Sequence, residues 1–314
     1  MELIRGLHNL APRHRGCVVS IGNFDGLHRG HQALIGRLQE LSRQQALPST
    51  VIMFEPTPRE FFAPESAPPR ITGFRGKLRL LQRAGIDRLL LLRFDQRLAG
   101  LDAMDFVRQI LVQGLGAQAV VVGEDFRFGH KRGGDVALLR RAGAEAGFEV
   151  EGLGCVMIDE QRFSSTALRQ ALAGPDLEQA GRLLGRRYRV TGRVRHGLQL
   201  GRKLGMPTAN LVMRHPPAMA HGVYAVKAYW AARPQGAAGV ASLGVRPTLG
   251  TNSACLLETH VFGGALDLYG VEIEIEPWRY LRPQLRFDSL DALAAQMQAD
   301  GEEARKFLAV QDER

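Results

Sequence analysis

The 314-residue chain has no run of about 18 apolar residues, so no segment reads as a membrane-spanning helix. Its opening stretch, MELIRGLHNLAPRHRG, carries basic residues without an apolar core, and no secretory signal is expected. The three cysteines, Cys17, Cys155 and Cys255, lie far apart and form no CxxC. That excludes a CxxC-type zinc site and a disulfide framework, and fits reduced thiols in the cytoplasm. No Lys/Arg block, RNA-binding aromatic signature or helix-turn-helix pattern accompanies the net charge of +9. The basic residues are dispersed, which favours a solvated surface with phosphate pockets over a nucleic-acid groove. Internal repeats and low-complexity tracts are missing. So is a GxxxxGK[ST] phosphate loop, and any kinase chemistry must hold polyphosphate in another way. One loose fingerprint, GLGAQA from Gly114, follows a helical pattern and precedes a strand, the reverse of what a dinucleotide site needs.

What is present is an ordinary globular composition, 45% apolar and 23% charged, with length enough for two domains of about 150 residues. The first half alternates strand-like runs (Cys17–Ile21, Thr50–Phe54, Leu89–Leu92, Ala119–Val122, Phe148–Leu153) with helical patterns. Leu34, Ile35, Leu38 and Leu41 make the first helical stripe. This alternation predicts a parallel, Rossmann-like α/β sheet with ligands beyond the carboxyl ends of its strands. Past the short helix read in GPDLEQAGRLLGR, strands dominate. Val271, Ile273 and Ile275 alternate with Glu272, Glu274 and Glu276, which predicts one buried face and one wet face. A mainly antiparallel β-barrel follows, with helical sequence at the C-terminal end. The expected domains are 1–184 and 185–314.

The string GNFDGLHRGH, Gly22 to His31, follows the first strand and opens the first helix. Helix N-termini offer free N–H groups and positive potential to anions. Gly22, Gly26 and Gly30 permit close approach of phosphate. His28 and His31 can donate to phosphate oxygens where charge develops. Histidines three apart also suit zinc, or an ordinary surface; the glycines and the strand-loop-helix context favour phosphate. The string resembles the HxGH signature of nucleotidylyltransferases. Its longer form, GxFDGxHxGH, resembles the adenylyltransferase half of bacterial bifunctional riboflavin kinase/FAD synthetases. The resemblance adds Phe24 and Asp25 to the nucleotide site. It places flavin near Pro56, Pro58 and Arg59 of EPTPREFF, and gives the loop GEDFRFGHKRGGD, with Asp125, a position over nucleotide and flavin. Some relatives carry Asn at that position, and an Asp cannot donate the amide hydrogen bond. FSSTALRQAL resembles an ISSTxIR motif in which Ser164, Ser165 and Thr166 start a helix and Arg169 clamps phosphate.

A second set of motifs lies beyond. In HGLQLGRKLGMPTANL, Gly197, Gly201 and Gly205 make a loop whose amides can cover polyphosphate. Thr208 and Asn210 of PTAN, two apart in an extended segment, share a side and suit Mg²⁺ held with ATP. Glu258 lies in the strand-like run CLLETHVFG and can take a proton from a primary hydroxyl as it attacks a γ-phosphorus. These strings, with GVY, SLGVRPTLG, DLYG and FDSLDAL, resemble the flavokinase domain in order and spacing. The resemblance counts Pro207 with the ATP loop and makes Thr208 and Asn210 the metal ligands and Glu258 the general base. HVFGG departs from the common HLLD at Gly263 and Gly264. Arg246 and Arg282 are further cations that the sequence does not rank.

Taken together, the resemblances imply a cytoplasmic transferase of two steps. MgATP phosphorylates riboflavin to FMN, and a second ATP adenylylates FMN to FAD. Its partners would be riboflavin, FMN and ATP, without nucleic acid or membrane; the oligomeric state is not readable. Residues alone reach only to two ATP sites and two phosphate chemistries. A non-catalytic flavin- or nucleotide-binding regulator, or another HxGH nucleotidylyltransferase, stays open at that level.

Overall fold

The computed structural model describes every residue except 155, 156, 159, 160, 198–200, 202–204, 214, 247–253, 265, 266, 313 and 314. Cys155, parts of the glycine loop and the end of SLGVRPTLG therefore lie outside the described residues. The chain divides into two compact units. One is Met1–Pro68 with Lys77–Ser164, the other Pro69–Gly76 with Ser165–Arg314.

The first unit is built on a six-stranded parallel sheet. Its strands are β1 (Glu2–Arg5), β2 (Cys17–Ile21), β3 (Ser49–Glu55), β4 (Arg88–Arg93), β5 (Ala117–Gly123) and β6 (Glu149–Leu153). Strands β2 to β5 are near-continuous apolar runs because helices cover both sheet faces. The helices are α1 (Arg29–Gln44), α2 (Pro58–Phe62), α3 (Phe74–Arg83, of which 77–83 belong to this unit), the short α4 (Gln96–Ala99) and α5 (Ala103–Phe106), and α6 (Val136–Ala146). A π-helical stretch, Val107–Gly114, continues α5. The predicted stripe of α1 is buried at Leu34, Ile35, Leu38 and Leu41. The expectation missed β1. Only Ile4 of its four residues is buried, too little for any alternation to register. A small hairpin, β7 (Met157–Ile158) and β8 (Gln161–Arg162), follows β6.

The second unit holds α7 (Ser165–Ala173), α8 (Leu177–Leu184) and six strands. These are β9 (Val190–Arg195), β10 (Ala209–Met213), β11 (Gly222–Trp230), β12 (Arg233–Arg246), β13 (Ala254–Val261) and β14 (Glu272–Arg282). They close into an antiparallel barrel in the order β10-β13-β12-β11-β14-β9. The last helix, α9 (Leu290–Asp312), packs Ala304 and Leu308 against Val223, Ala225 and Val240.

The wet face expected on β14 is a correction. Glu274 and Glu276 are each 4% exposed. Arg189 pairs with both carboxylates, and Tyr229 and Trp278 donate to Glu276. Burial and the Glu276 carboxylate push the Tyr229 phenol up to about 12. Alternation correctly located the two faces; what it could not show is that paired charges are buried on the second.

Candidate active sites

The sheet order β1-β4-β3-β2-β5-β6 reverses at β2. From β2 the chain steps to β3 and β4 on one side, then resumes with β5 and β6 on the other. Open parallel sheets bind ligands beyond the carboxyl ends at such a reversal. Two of the singled-out loops leave the sheet there, residues 22–28 after β2 and 124–135 after β5.

The first of these loops is held in an unfavourable conformation. Phe24 (φ 46°), Gly26 (φ 82°) and Leu27 (φ 44°) are all left-handed. Each of the two non-glycine residues costs roughly 1 kcal/mol or more, which the surroundings must offset. The loop delivers His28 to the N-cap of α1, a place usually taken by Ser, Thr, Asp or Asn. His28 Nδ1 accepts from the backbone N–H of His31 at 3.4 Å. An accepting Nδ1 puts the proton of the neutral ring on Nε2, which becomes a donor. The His31 ring stacks on His28 at 3.8 Å and tilts against Phe24 at 5.3 Å. Its Nδ1 is buried without a hydrogen-bond partner. Burial, then the charges of His28 and Lys77, hold the His31 pKa well below the usual imidazole range. The ring is therefore neutral at neutral pH. Gly22 and Gly30 admit the Phe24 and His28 rings, which a Cβ would meet at 3.2 Å. Asp25 is buried, its Oδ1 3.9 Å from Lys77 Nζ.

After β3, Thr57 caps α2 reciprocally with Glu60. Pro56 and Pro58 are half-buried and Arg59 is exposed. Beside them Phe54, Phe61, Phe62 and Phe94 pack edge to face, with centroids 5.2–5.8 Å apart. Phe62 is 66% exposed. Sequence reasoning missed this cluster because Phe94 follows a different strand. In the loop after β5, Asp125 is exposed, and Asp135 ends the loop by capping α6. The FSSTALR motif spans both units. Ser164 belongs to the first, and Ser165, Thr166 and Arg169 to the second, where they open α7. Arg169 donates to the carbonyls of Pro69 (2.8 Å) and Ser165 (3.3 Å).

The barrel assembles its site through register. One row of cross-strand partners reads Arg195–Asn210–Glu258–Ser242–Val223–Arg282. Partners directly opposite one another share a face of the sheet. Glu258 thus stands one strand from Asn210 on one side and from Ser242 on the other. A cavity of about 250 Å³ is lined by Thr208, Ser242, Glu258, His260, Arg282 and Asp300. A smaller cleft, about 40 Å³, is lined by Thr208, Asn210, Thr259, Gly264 and Tyr269. Thr208 borders both. Asn210 donates Nδ2 to the Thr208 carbonyl at 3.4 Å, while its Oδ1 is buried without a hydrogen-bond partner. His260 Nδ1 lies 2.8 Å from the Pro207 carbonyl and ties PTAN to β13. Of the glycine loop, Gly197 packs on the Asn210 amide, where a Cβ would sit 2.6 Å from Nδ2. A Cβ on Gly201 would come within 2.3 Å of the Met206 carbonyl. Gly205 is left-handed, with φ 76°. At HVFGG, Gly263 and Gly264 both have positive φ just past the end of β13. Arg282 is clamped by Asp300 through two hydrogen bonds, at 2.8 and 2.5 Å. No sequence signal links Arg282 and Asp300, which come from a strand and a helix.

The neutral oxygens of Thr208 and Asn210, one of them orphaned and buried, suit a hard divalent ion whose other ligands are phosphates and water. Among the described residues no group of three or more His, Cys, Asp or Glu could hold an ion by itself.

Comparison with known proteins agrees with both halves. Residues 10–167 match the FAD synthetase family model and residues 184–308 the riboflavin kinase model. The bifunctional riboflavin kinase/FMN adenylyltransferase of Pseudomonas fluorescens is 47% identical, covering 98% of each chain. The chain belongs to the bifunctional riboflavin kinase/FMN adenylyltransferase family. It is a transferase with an FAD synthetase domain followed by a riboflavin kinase domain. Domains of these kinds use ATP, generally with a divalent metal. The Escherichia coli strain K12 member is 46% identical, again over 98% of each chain. A solved structure described as a macrolide-efflux protein from Streptococcus pneumoniae superposes with a TM-score of 0.78 at 30% identity. It covers 97% of this chain and 99% of its own. Among the described residues no helix is long and apolar enough to cross a membrane.

Proposed function

We propose that the two family activities use two separate sites, one in the histidine loop and one in the barrel row. The observation that carries this is the register row, in which Glu258 stands between Asn210 and Ser242 at a cavity bordered by Thr208. Riboflavin occupies the 250 Å³ cavity, with its terminal hydroxyl toward Glu258. ATP lies on the other side of Thr208, covered by the loop carrying Gly197, Gly201, Gly205 and Pro207. Glu258 accepts the hydroxyl proton as that oxygen bonds to the γ-phosphorus and ADP departs. Thr208 and Asn210 would hold Mg²⁺, which when bound supplies charge neutralisation to the ATP phosphates.

In the adenylyl transfer, a phosphate oxygen of FMN attacks the α-phosphorus of a second ATP, and pyrophosphate leaves. The nucleophile is already anionic and needs no general base. His28 and the neutral His31, donors at a helix start, and Arg169 stabilise the charge that grows in the transition state. Gly22, Phe24, Asp25, Gly30, Ser164, Ser165 and Thr166 hold the nucleotide. Flavin meets Pro56, Pro58, Arg59 and Asp125, with the exposed face of Phe62 offering a stacking surface. The catalytic division runs 1–184 and 185–314. The enzyme works in the cytoplasm, as its dispersed cysteines suggest, and without nucleic acid, as its dispersed basic residues suggest.

The test is to supply riboflavin, ATP and Mg²⁺ and separate the flavins. FMN should accumulate first and FAD follow; chelation of Mg²⁺ should stop FMN formation. Absence of both flavin products would refute the assignment.

A further inference from the structure

Lys77 is a buried charge that the reaction scheme leaves unused. It lies on α3 among exposed or half-exposed arginines, yet is only 2% exposed. It shares its helix stripe with Leu81, a position that ordinarily takes an apolar residue. An ammonium so placed is strongly penalised unless a partner compensates it, and its stem cannot snorkel to water. Among the described residues, a carboxylate that faces it is Asp25 of the signature loop, at 3.9 Å and itself buried. Asp25 sits in the middle of the left-handed segment, between Phe24 and Gly26. Phe24 in turn packs on His31, and His31 on His28.

We infer that Lys77 is a positioning residue of the adenylyltransferase: its buried pairing with Asp25 locks the loop that stacks His28 and His31. The inference rests on assigning adenylyl transfer to the histidine loop. Two effects follow from one ammonium. Its attraction for Asp25 offsets the strain of the left-handed residues and fixes the ring stack at the start of α1. Its charge also opposes protonation of His31, alongside burial and His28. The loop then presents a neutral His31 ring, stacked on His28, in a fixed arrangement.

The test uses the full chain with Lys77→Met and Lys77→Arg, riboflavin phosphorylation serving as internal control. In Lys77→Met, kcat for FMN adenylylation should fall by about tenfold or more, with KM for ATP and FMN changed far less. Riboflavin phosphorylation should stay at the wild-type rate. The His31 titration midpoint, followed by NMR of ¹⁵N-labelled histidine, should rise while remaining below the usual range, because burial persists. Lys77→Arg should keep the low midpoint and recover most of the rate. Asp25→Asn should lower kcat in the same direction by removing the other half of the pair. An unmoved His31 midpoint in Lys77→Met overturns the inference, whatever happens to the rate. So does FMN adenylylation within about twofold of wild type. If His31→Ala itself left adenylylation intact, the site assignment would fail instead, which separates the two failures.

Discussion

The two sites are built by opposite means. In the parallel-sheet unit, one contiguous loop at the sheet reversal carries the histidines, and its strained backbone is held by neighbours. In the barrel, Asn210, Glu258 and Ser242 come from three strands and meet only through register. A loop site depends on what locks the loop, and a register site on every strand pairing that aligns it. The first should therefore be sensitive to packing beneath it, and the second to single functional groups and to close backbone approaches.

The largest effect should come from Glu258→Gln. Riboflavin phosphorylation should drop by about 10²–10⁴, the usual worth of a general base, while FAD still forms from added FMN. His31→Ala should lower FAD formation by about 10²–10³ and leave FMN formation intact. Product ratios from riboflavin and from FMN, taken side by side, check both. A loss of both activities in either folded variant would break the contrast between independent sites. Next, Gly197→Ala should weaken the kinase by about tenfold, through its close approach to the Asn210 amide. Rates measured against Mg²⁺ concentration should show a raised metal requirement for the kinase alone.

The smallest effect concerns acid. The folded-state pKa of His31 lies below the ordinary value of 6.5. The unfolded chain therefore binds the extra proton in that interval. The stability this gives is complete above about pH 6.5 and is lost as pH falls through the folded value. Thermal unfolding of the first unit should shift down on acidification, and less so in His31→Ala. Equal shifts in the two proteins would remove His31 from the account.

How much of this was legible in the sequence follows the same division. The histidine loop was readable because Gly22 to His31 is one string, and the strands around it because their apolar runs are continuous. Thr208, Asn210 and Glu258 were readable only through motif resemblance, since no spacing shows that Asn210 and Glu258 are cross-strand partners. Lys77 was invisible, because a lysine among arginines on a helix reads as solvated. Glu274 and Glu276 were misread as wet for the same reason: burial of a charge is decided by partners distant in sequence, here Arg189, Tyr229 and Trp278. The 69–76 segment, which packs with the second unit although it lies in the first half of the chain, gave no sequence sign either.

The claim that one chain holds two separable sites is tested most directly by complementation. Glu258→Gln and His31→Ala proteins are each given riboflavin, ATP and Mg²⁺, alone and mixed. Alone, the first should make no flavin product and the second should stop at FMN. Mixed, they should make FAD from riboflavin, the FMN released by one serving the other. A mixture that stops at FMN, although the Glu258→Gln protein adenylylates added FMN at that concentration, would contradict two freely exchanging sites.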